Sequence, residues 1–362
     1  MSSKIILNDI IIGDEQPCLV VPDGCDNHMG SLERAKEMAY AAKISGAKII
    51  KWQLHLPEEE MVKDEAIAAS KEMLAKWGSI WDFVNKFRLS VDDHYQLKQY
   101  CDKIGIQYFC TPFSSRAAEI LNQMGVYGFK IGSGETEDLL MIEEIVKMKR
   151  PMIISTGMSD LSEIDFIAQT IQNSGTPYAF AHCLSIYEGQ KANQLNYGVI
   201  SLFKKRYGVP VGLSDHTPPD FIKSISGIAV SHEARIWAAV HQGANFIEKH
   251  FTLDRKQADA DSCFSLNPQD LKDIIETVKA AEEALGKERK VFNEEKPVAE
   301  WAKRSIVSLV DIPKGSIITR EILTSKRPGT GIRSKDYKQI IGKRTRILIP
   351  KNTLIKWEQI QD

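Results

Sequence analysis

Two short stretches bring a histidine to matching places. His216 in Gly212-Leu213-Ser214-Asp215-His216-Thr217 comes just after the apolar run at 209–213, and His250 in Glu248-Lys249-His250-Phe251-Thr252 just after the run at 244–247. At the carboxyl ends of adjacent parallel strands, two histidines would point into one mouth, close enough to share a metal ion or an anionic substrate. A lone histidine reads as structural; a matched pair in polar sequence does not. Two lysines stand in comparable settings, Lys51 in Lys51-Trp52-Gln53 and Lys130 in Lys130-Ile131-Gly132-Ser133-Gly134-Glu135. Turned inward, each would be costly to bury without an anion. Hydroxyls of Thr111, Ser133, Ser155 and Ser214 stand at other run ends, so a phosphate plus a carboxylate is the natural partner. In the alternative, the lysines point outward or pair with Glu135 and Asp215.

The elements that must position these residues follow from the pattern. Strand-like runs at 18–23, 47–54, 107–112, 128–132, 152–156, 178–184, 209–213 and 245–250 are short, apolar and rich in β-branched and aromatic residues, as buried parallel strands are. Amphipathic stretches at 31–42, 90–103, 138–149, 159–174 and 268–285 lie between and after them, the first with Ser31 as its N-cap. Eight β/α units predict an α/β fold of the TIM (β/α)8 class. A doubly wound open sheet competes, but no glycine-rich fingerprint follows the first strand.

Residues 1–287 are therefore expected to form the barrel domain, with 1–17 as a short hairpin packed under it. Residues 288–297 read as a charged linker, and 298–362 as a small β-rich domain. That second domain carries a pseudo-repeat, Ile312-Pro313-Lys314-Gly315 and Ile349-Pro350-Lys351-Asn352.

The 362 residues hold 47 Lys and Arg against 48 Asp and Glu, a formal net charge of −1, which points to neither nucleic acid nor a membrane surface as partner. No run approaches the ~20 apolar residues of a membrane span. The first residues, with an acidic interruption at Asp9 and no small-residue cleavage site, do not read as a secretory signal, so a cytoplasmic location is expected. The six cysteines show no CxxC pairing; buried free thiols are expected, not a cysteine-based zinc site.

Asn27-His28-Met29-Gly30-Ser31, Lys51-Trp52-Gln53, Thr111-Pro112-Phe113, Lys130-Ile131-Gly132-Ser133-Gly134-Glu135, Ser155-Thr156-Gly157-Met158, Ser214-Asp215-His216-Thr217, Glu248-Lys249-His250-Phe251-Thr252-Leu253-Asp254 and Lys326-Arg327-Pro328-Gly329-Thr330-Gly331 occur in that order. Together they resemble the sialic acid synthase family. The resemblance implies a TIM barrel followed by a small antifreeze-like (SAF) domain. It also implies condensation of phosphoenolpyruvate with an N-acetylmannosamine-type amino sugar, giving a nine-carbon 2-keto-3-deoxy acid and phosphate. His216 and His250 match the family's divalent-metal ligands, with Mn2+ or Mg2+ as the expected ion. Lys51, Thr111, Lys130, Ser133, Ser155 and Ser214 match its phosphoenolpyruvate-binding positions, with Gln53 and Ser185 beside them. Tyr187 and Asp261 match positions that hold the acceptor sugar. Arg327 matches the SAF arginine that reaches the partner's barrel in the family's domain-swapped homodimer. Lys51 and Lys130 would position and neutralise the anion, and so count with the histidines as catalytic.

The chain departs from the family at three places. Asp23 stands where a Glu usually contacts the sugar as a candidate acid or base. The loop His182-Cys183-Leu184-Ser185-Ile186-Tyr187-Glu188 lacks the usual Thr and Pro. The connection 218–243 is longer than usual. Either most of it lengthens the outer helix, leaving His232 and His241 as surface or packing residues, or His232, Glu233 and Arg235 form a wall recognising a modified sugar. Three further readings remain open at this point: a legionaminic or pseudaminic acid-type synthase acting on a diacetamido-trideoxy-hexose, a Schiff-base aldolase using one of the lysines, and a non-catalytic carbohydrate-binding protein.

Overall fold

Period-two alternation along each strand decides which side chains face the axis of this molecule and which face its helices. The computed structural model describes residues 4–65, 67–68, 71–187, 189–256, 261, 264–286 and 288–362, with the side chains of 71–73 excepted. It divides into two units, Met1–Gly286 and Lys287–Asp362.

The first unit contains β1 (Lys4–Leu7), β2 (Ile10–Gly13), β3 (Leu19–Asp23), β4 (Ile49–Leu54), β5 (Gln107–Pro112), β6 (Phe129–Ile131), β7 (Met152–Ser155), β8 (Tyr178–Cys183), β9 (Val211–Asp215), β10 (Phe221–Lys223), β11 (Ala229–Ser231) and β12 (Phe246–His250). Eight of these close a barrel in the order β12-β3-β4-β5-β6-β7-β8-β9, every neighbour parallel. The expected (β/α)8 architecture is therefore present. Outward residues such as Val20, Ile50, Trp52, Tyr108, Ile154, Phe180, Leu213 and Ile247 form one large apolar cluster with the surrounding helices. The helices begin where the chemistry of their first turn allows. Ser31 accepts from Arg34 N, and Ser90 and Asp93 form a reciprocal capping box ahead of Val91–Ile104.

Inward residues build layers along the axis. At the bottom Val21, Ile49, Phe109, Ile153, Ala179, Ala181 and Phe246 pack with Ile5, Leu7, Ile10 and Ile12 of the β1–β2 hairpin. Each of those four hairpin side chains is buried, a stabilisation of about 1.5–3 kcal/mol apiece before chain entropy. The hairpin, strands Lys4–Leu7 and Ile10–Gly13, thus plugs the amino-terminal end. Gly212 is required here, since a Cβ at that position would lie 2.5 Å from the Phe246 ring. The middle and upper layers are polar, and they are described below.

Two expectations fail in this unit. Strand β9 runs to Asp215, two residues beyond 209–213, so Ser214 and Asp215 lie within the barrel wall and not after it. The extra residues of 218–243 do not lengthen a helix: the helix His232–His241 has 10 residues, and the insertion folds as the antiparallel β10–β11 hairpin. Alternation in Phe221-Ile222-Lys223 and Ala229-Val230-Ser231, turned at Gly227, favours that outcome.

The second unit contains a helix, Lys296–Ala302, and four short strands, β13 (Ser305–Ser308), β14 (Leu323–Lys326), β15 (Arg344–Thr345) and β16 (Ile360–Gln361). Its core is almost wholly isoleucine: Ile306, Ile312, Ile318, Ile332, Ile340, Ile349, Ile355 and Ile360, with Leu323. The pseudo-repeat has a structural meaning. Ile312 and Ile349 pair antiparallel, their amides and carbonyls bonded reciprocally at 2.8 and 2.9 Å. Each copy then turns through a positive-φ residue, Gly315 or Asn352.

Candidate active site

The upper inward layer carries the chemistry. Lys51 (β4) and Lys130 (β6) are both buried with their amines turned inward. Lys51 Nζ lies 2.7 Å from Asp23 Oδ2 and 3.7 Å from Glu248 Oε1; Lys130 Nζ lies 3.3 Å from the same Glu248 oxygen. The pairing with Glu135 and Asp215 raised above is not what forms. In the sequence Glu248 reads simply as part of a strand. Its alternation with Phe246 and His250 places it on the inner face. Burial opposes charge on Glu248, but Lys130 and Lys51 outweigh it and hold the carboxyl down at about 2. Burial likewise opposes charge on Lys51, and Asp23 with Glu248 raises it above the usual lysine range.

Hydroxyls converge on this layer. Thr111 Oγ1 accepts from Lys51 at 3.4 Å, Ser214 Oγ donates to Glu248 at 3.0 Å, and Ser133 Oγ donates to Ser155 Oγ at 2.9 Å. Gly157 leaves the room for them. A Cβ there would sit 2.2 Å from Ser185 Oγ and 2.7 Å from Ser133 Oγ. Thus Lys51, Lys130, Thr111 and Ser214 are linked around Glu248, while Ser133, Ser155 and Ser185 gather over Gly157. Gln53 faces His55 instead, its Oε1 3.3 Å from Nε2.

The histidines stand beside this layer, joined to it through Cys183 and Asp23. The rings of His216 and His250 have centroids 5.1 Å apart, and Phe264 lies against both. Asp261 Oδ2 and Cys25 Sγ each stand 3.2 Å from His250 Nδ1, and Asp23 Oδ2 stands 3.8 Å from its Nε2. Burial opposes charge on His250, but Asp261 and Asp23 raise its pKa overall. Cys25, His250 and Asp261 present donor atoms all within 4.8 Å of one another. Imidazole, carboxylate and thiol at that spacing suit a divalent cation, so these residues fit a metal ion. Cys18, Cys25, Cys101, Cys110 and Cys183 are buried free thiols, as expected. Two of them lie against the histidines, Cys25 on His250 and Cys183 with its Sγ 3.7 Å from His216 Nδ1. Burial would push the Cys183 thiol up, but His216 brings it down to about 6. Cys263 lies outside the described residues, as does Glu188.

Tyr187 is half exposed at the rim, its ring 4.8 Å from that of His216. Arg327 belongs to the second unit, where its guanidinium covers the Trp301 ring at 5.4 Å. Beside the site sits a second titratable group. His55 stacks on Phe113 at 4.3 Å, with Nδ1 2.9 Å from Glu60 and Nε2 3.8 Å from Asp26. Burial lifts Asp26 to about 6 and Glu135 to about 7.

Outward residues of the same strands brace the histidine loops. Lys249 Nζ pairs with Asp215 Oδ2 at 3.0 Å and donates to the Thr217 carbonyl; His232 Nε2 lies 3.4 Å from Asp215. Arg235, buried, donates to the carbonyls of Val230 and Pro218. Arg235 and His232 therefore tie the β10–β11 hairpin to the barrel wall, and the wall that was to recognise a modified sugar does not form from them. Glu233 and His241 are exposed. Asn27 has a similar bracing role, its Nδ2 bonding Phe251 O and Ser265 Oγ at 3.0 Å each.

The NeuB family profile matches residues 38–290, and the SAF domain profile matches residues 303–361. The chain is 31% identical over 356 residues to N,N'-diacetyllegionaminic acid synthase of Legionella pneumophila, covering 96% of each chain. It is 30% identical over 357 residues to human N-acetylneuraminate-9-phosphate synthase, covering 97% of this chain and 95% of that one. Among solved structures, the N-acetylneuraminic acid synthetase of Leptospira borgpetersenii superposes with a TM-score of 0.69 at 26% identity, over 83% of this chain and 96% of that chain. By profile, identity and fold, the chain belongs to the NeuB family of sialic, legionaminic and pseudaminic acid synthases, its barrel followed in sequence by a SAF domain.

Proposed function

We propose that this enzyme condenses phosphoenolpyruvate with an N-acetylmannosamine-type amino sugar, forming a nine-carbon 2-keto-3-deoxy acid and phosphate. The observation that carries the reading is the pair of buried amines, Lys51 and Lys130, meeting at one inward carboxylate, with the Thr111 hydroxyl on Lys51 and the Ser214 hydroxyl on Glu248. Two lysines turned into one polar layer and sharing a single carboxylate are suited to an entering anion. Their contacts with Glu248 would then be shared with the phosphate and carboxylate of phosphoenolpyruvate, while Thr111, Ser133, Ser155 and Ser214 orient it. A Schiff-base aldolase needs one desolvated amine of lowered pKa, whereas Lys51 is shifted upward.

The histidine side receives the sugar. A divalent ion held by His216 and His250, Mn2+ or Mg2+ on this reading, would supply Lewis-acid polarisation of the aldehyde oxygen. Asp23, 2.7 Å from Lys51 and 3.8 Å from His250, stands between the two sides, placed to exchange a proton with the sugar or with water adding at C2. Tyr187 and Asp261 would flank the sugar, and Arg327 would reach it from a partner copy in a domain-swapped homodimer. Phosphate then leaves with the bond between C2 and the bridging oxygen broken. A second reading is a diacetamido-trideoxy-hexose as acceptor, supported by the Legionella relative at 31% identity.

Phosphate release from phosphoenolpyruvate with a panel of these amino sugars, with and without EDTA, tests the proposal. Turnover with one acceptor that is abolished by EDTA supports it. Absence of turnover with every acceptor favours a carbohydrate-binding protein, and EDTA-insensitive turnover removes the role given to the histidines.

A further inference from the structure

We propose that Cys25 is itself a ligand of the metal centre, which makes the site a mixed sulfur, nitrogen and oxygen one that selects Co2+ or Zn2+ over Mg2+. The inference rests on the reading of His216 and His250 as metal ligands and goes beyond it in both ligand set and ion.

Three observations converge on Cys25. Its sulfur is wholly buried and sits 3.2 Å from His250 Nδ1, the nitrogen that Asp261 Oδ2 also approaches at 3.2 Å. A tetrahedral ion with ordinary metal–sulfur and metal–nitrogen bonds holds those two donor atoms roughly 3.5 Å apart, so ligation requires only a small adjustment. The residue is also held in place. Its backbone amide donates to Asp23 Oδ1 at 3.0 Å, and its φ of 36° lies in the left-handed region that a glycine would enter more easily. A residue with a Cβ occupies that conformation, and the sulfur it carries is aimed at the histidine.

The second thiol nearby does not compete for the same role. Cys183 lies 3.7 Å from His216 but also takes a contact from Ser133 at 3.5 Å and one with Ser185 at 3.8 Å, which places it among those hydroxyls. On binding, the Cys25 S–H bond is replaced by a sulfur–metal bond and the proton leaves to solvent; nothing is oxidised or reduced. Thiolate sulfur favours thiophilic ions, whereas Mg2+ demands oxygen ligands in near-octahedral geometry.

The test is titration of the metal-stripped full-length protein with Co2+, followed by near-ultraviolet absorption and by X-ray absorption at the cobalt edge. One equivalent should bind with a sulfur-to-cobalt charge-transfer band and one sulfur scatterer. The band should vanish in Cys25→Ser and persist in Cys183→Ser, and Zn2+ but not excess Mg2+ should displace the cobalt. Cys25→Ser should weaken Zn2+ binding by at least roughly 10-fold. Cobalt bound without sulfur in the wild-type protein, or a band that survives Cys25→Ser, overturns the proposal while leaving the histidine site intact. If the wild-type protein binds no cobalt and no Mn2+, this proposal and the metal reading fall together.

Discussion

Lys249 and Asp215 pair at 3.0 Å on the outer face of the barrel wall, and each immediately precedes one of the two histidines. Burial opposes charge on Asp215, yet Lys249 and His232 hold its carboxyl well below the usual range. The pair locks together the ends of β9 and β12, from which His216 and His250 enter the mouth. Replacing Asp215 by Asn leaves a buried ammonium without its partner. Its expected cost is about 3–5 kcal/mol in denaturant unfolding. A change under about 1 kcal/mol would show that the pair is not a brace.

Lys130→Met retains the Lys51–Glu248 contact and should fold, as circular dichroism can verify. It removes one of the two cations that would hold the anion. The expected result is a fall of about 10²–10³-fold in kcat/KM for phosphoenolpyruvate, expressed partly as a higher KM. Wild-type steady-state kinetics in this variant would remove Lys130 from the site.

Glu248 competes with any anion for both lysines. Glu248→Gln removes that competition, so inorganic phosphate should bind roughly 10-fold tighter by calorimetry, about 1.4 kcal/mol. Weaker phosphate binding in the variant would mean that Glu248 serves to aim the lysines.

Asp26 has a signed pH dependence. Burial raises its folded pKa from 3.8 to about 6, against the opposing pull of His55, and its Oδ1 meets no hydrogen-bond partner among the described residues. Between those two values the native state binds more protons than the unfolded one, so this group's contribution to stability falls as pH rises and is flat above about 6. Asp26→Asn should therefore stabilise the protein by up to about 3 kcal/mol at pH 7.5 and by little near pH 4. Thermal unfolding at the two pH values gives the comparison, and a pH-independent difference would contradict the burial argument.

The strands and the histidine pair were legible because buried parallel strands are apolar runs with polar residues at their carboxyl ends. Lys51, Lys130, Ser155 and Ser214 lie on the inner face for the same reason of alternation. That signal also marked Glu248 as inward and Lys249 as outward, through the shared parity of 246, 248 and 250, but a charged strand end invites grouping by proximity. Cys25 was not legible, since two residues beyond the end of β3 no period applies and its left-handed backbone shows only in three dimensions. The β10–β11 hairpin was misread as helix because its strands are only 3 residues each, too short for alternation to outweigh the helix that follows.

The most direct measurement uses phosphoenolpyruvate carrying 18O at the bridging position, incubated with the metal-loaded enzyme and each candidate amino sugar, with phosphate and sugar acid followed by mass spectrometry. One acceptor should yield a nine-carbon 2-keto-3-deoxy acid, with an equal amount of phosphate carrying the label. Label retained in the sugar acid, or no phosphate released with any acceptor, would contradict it.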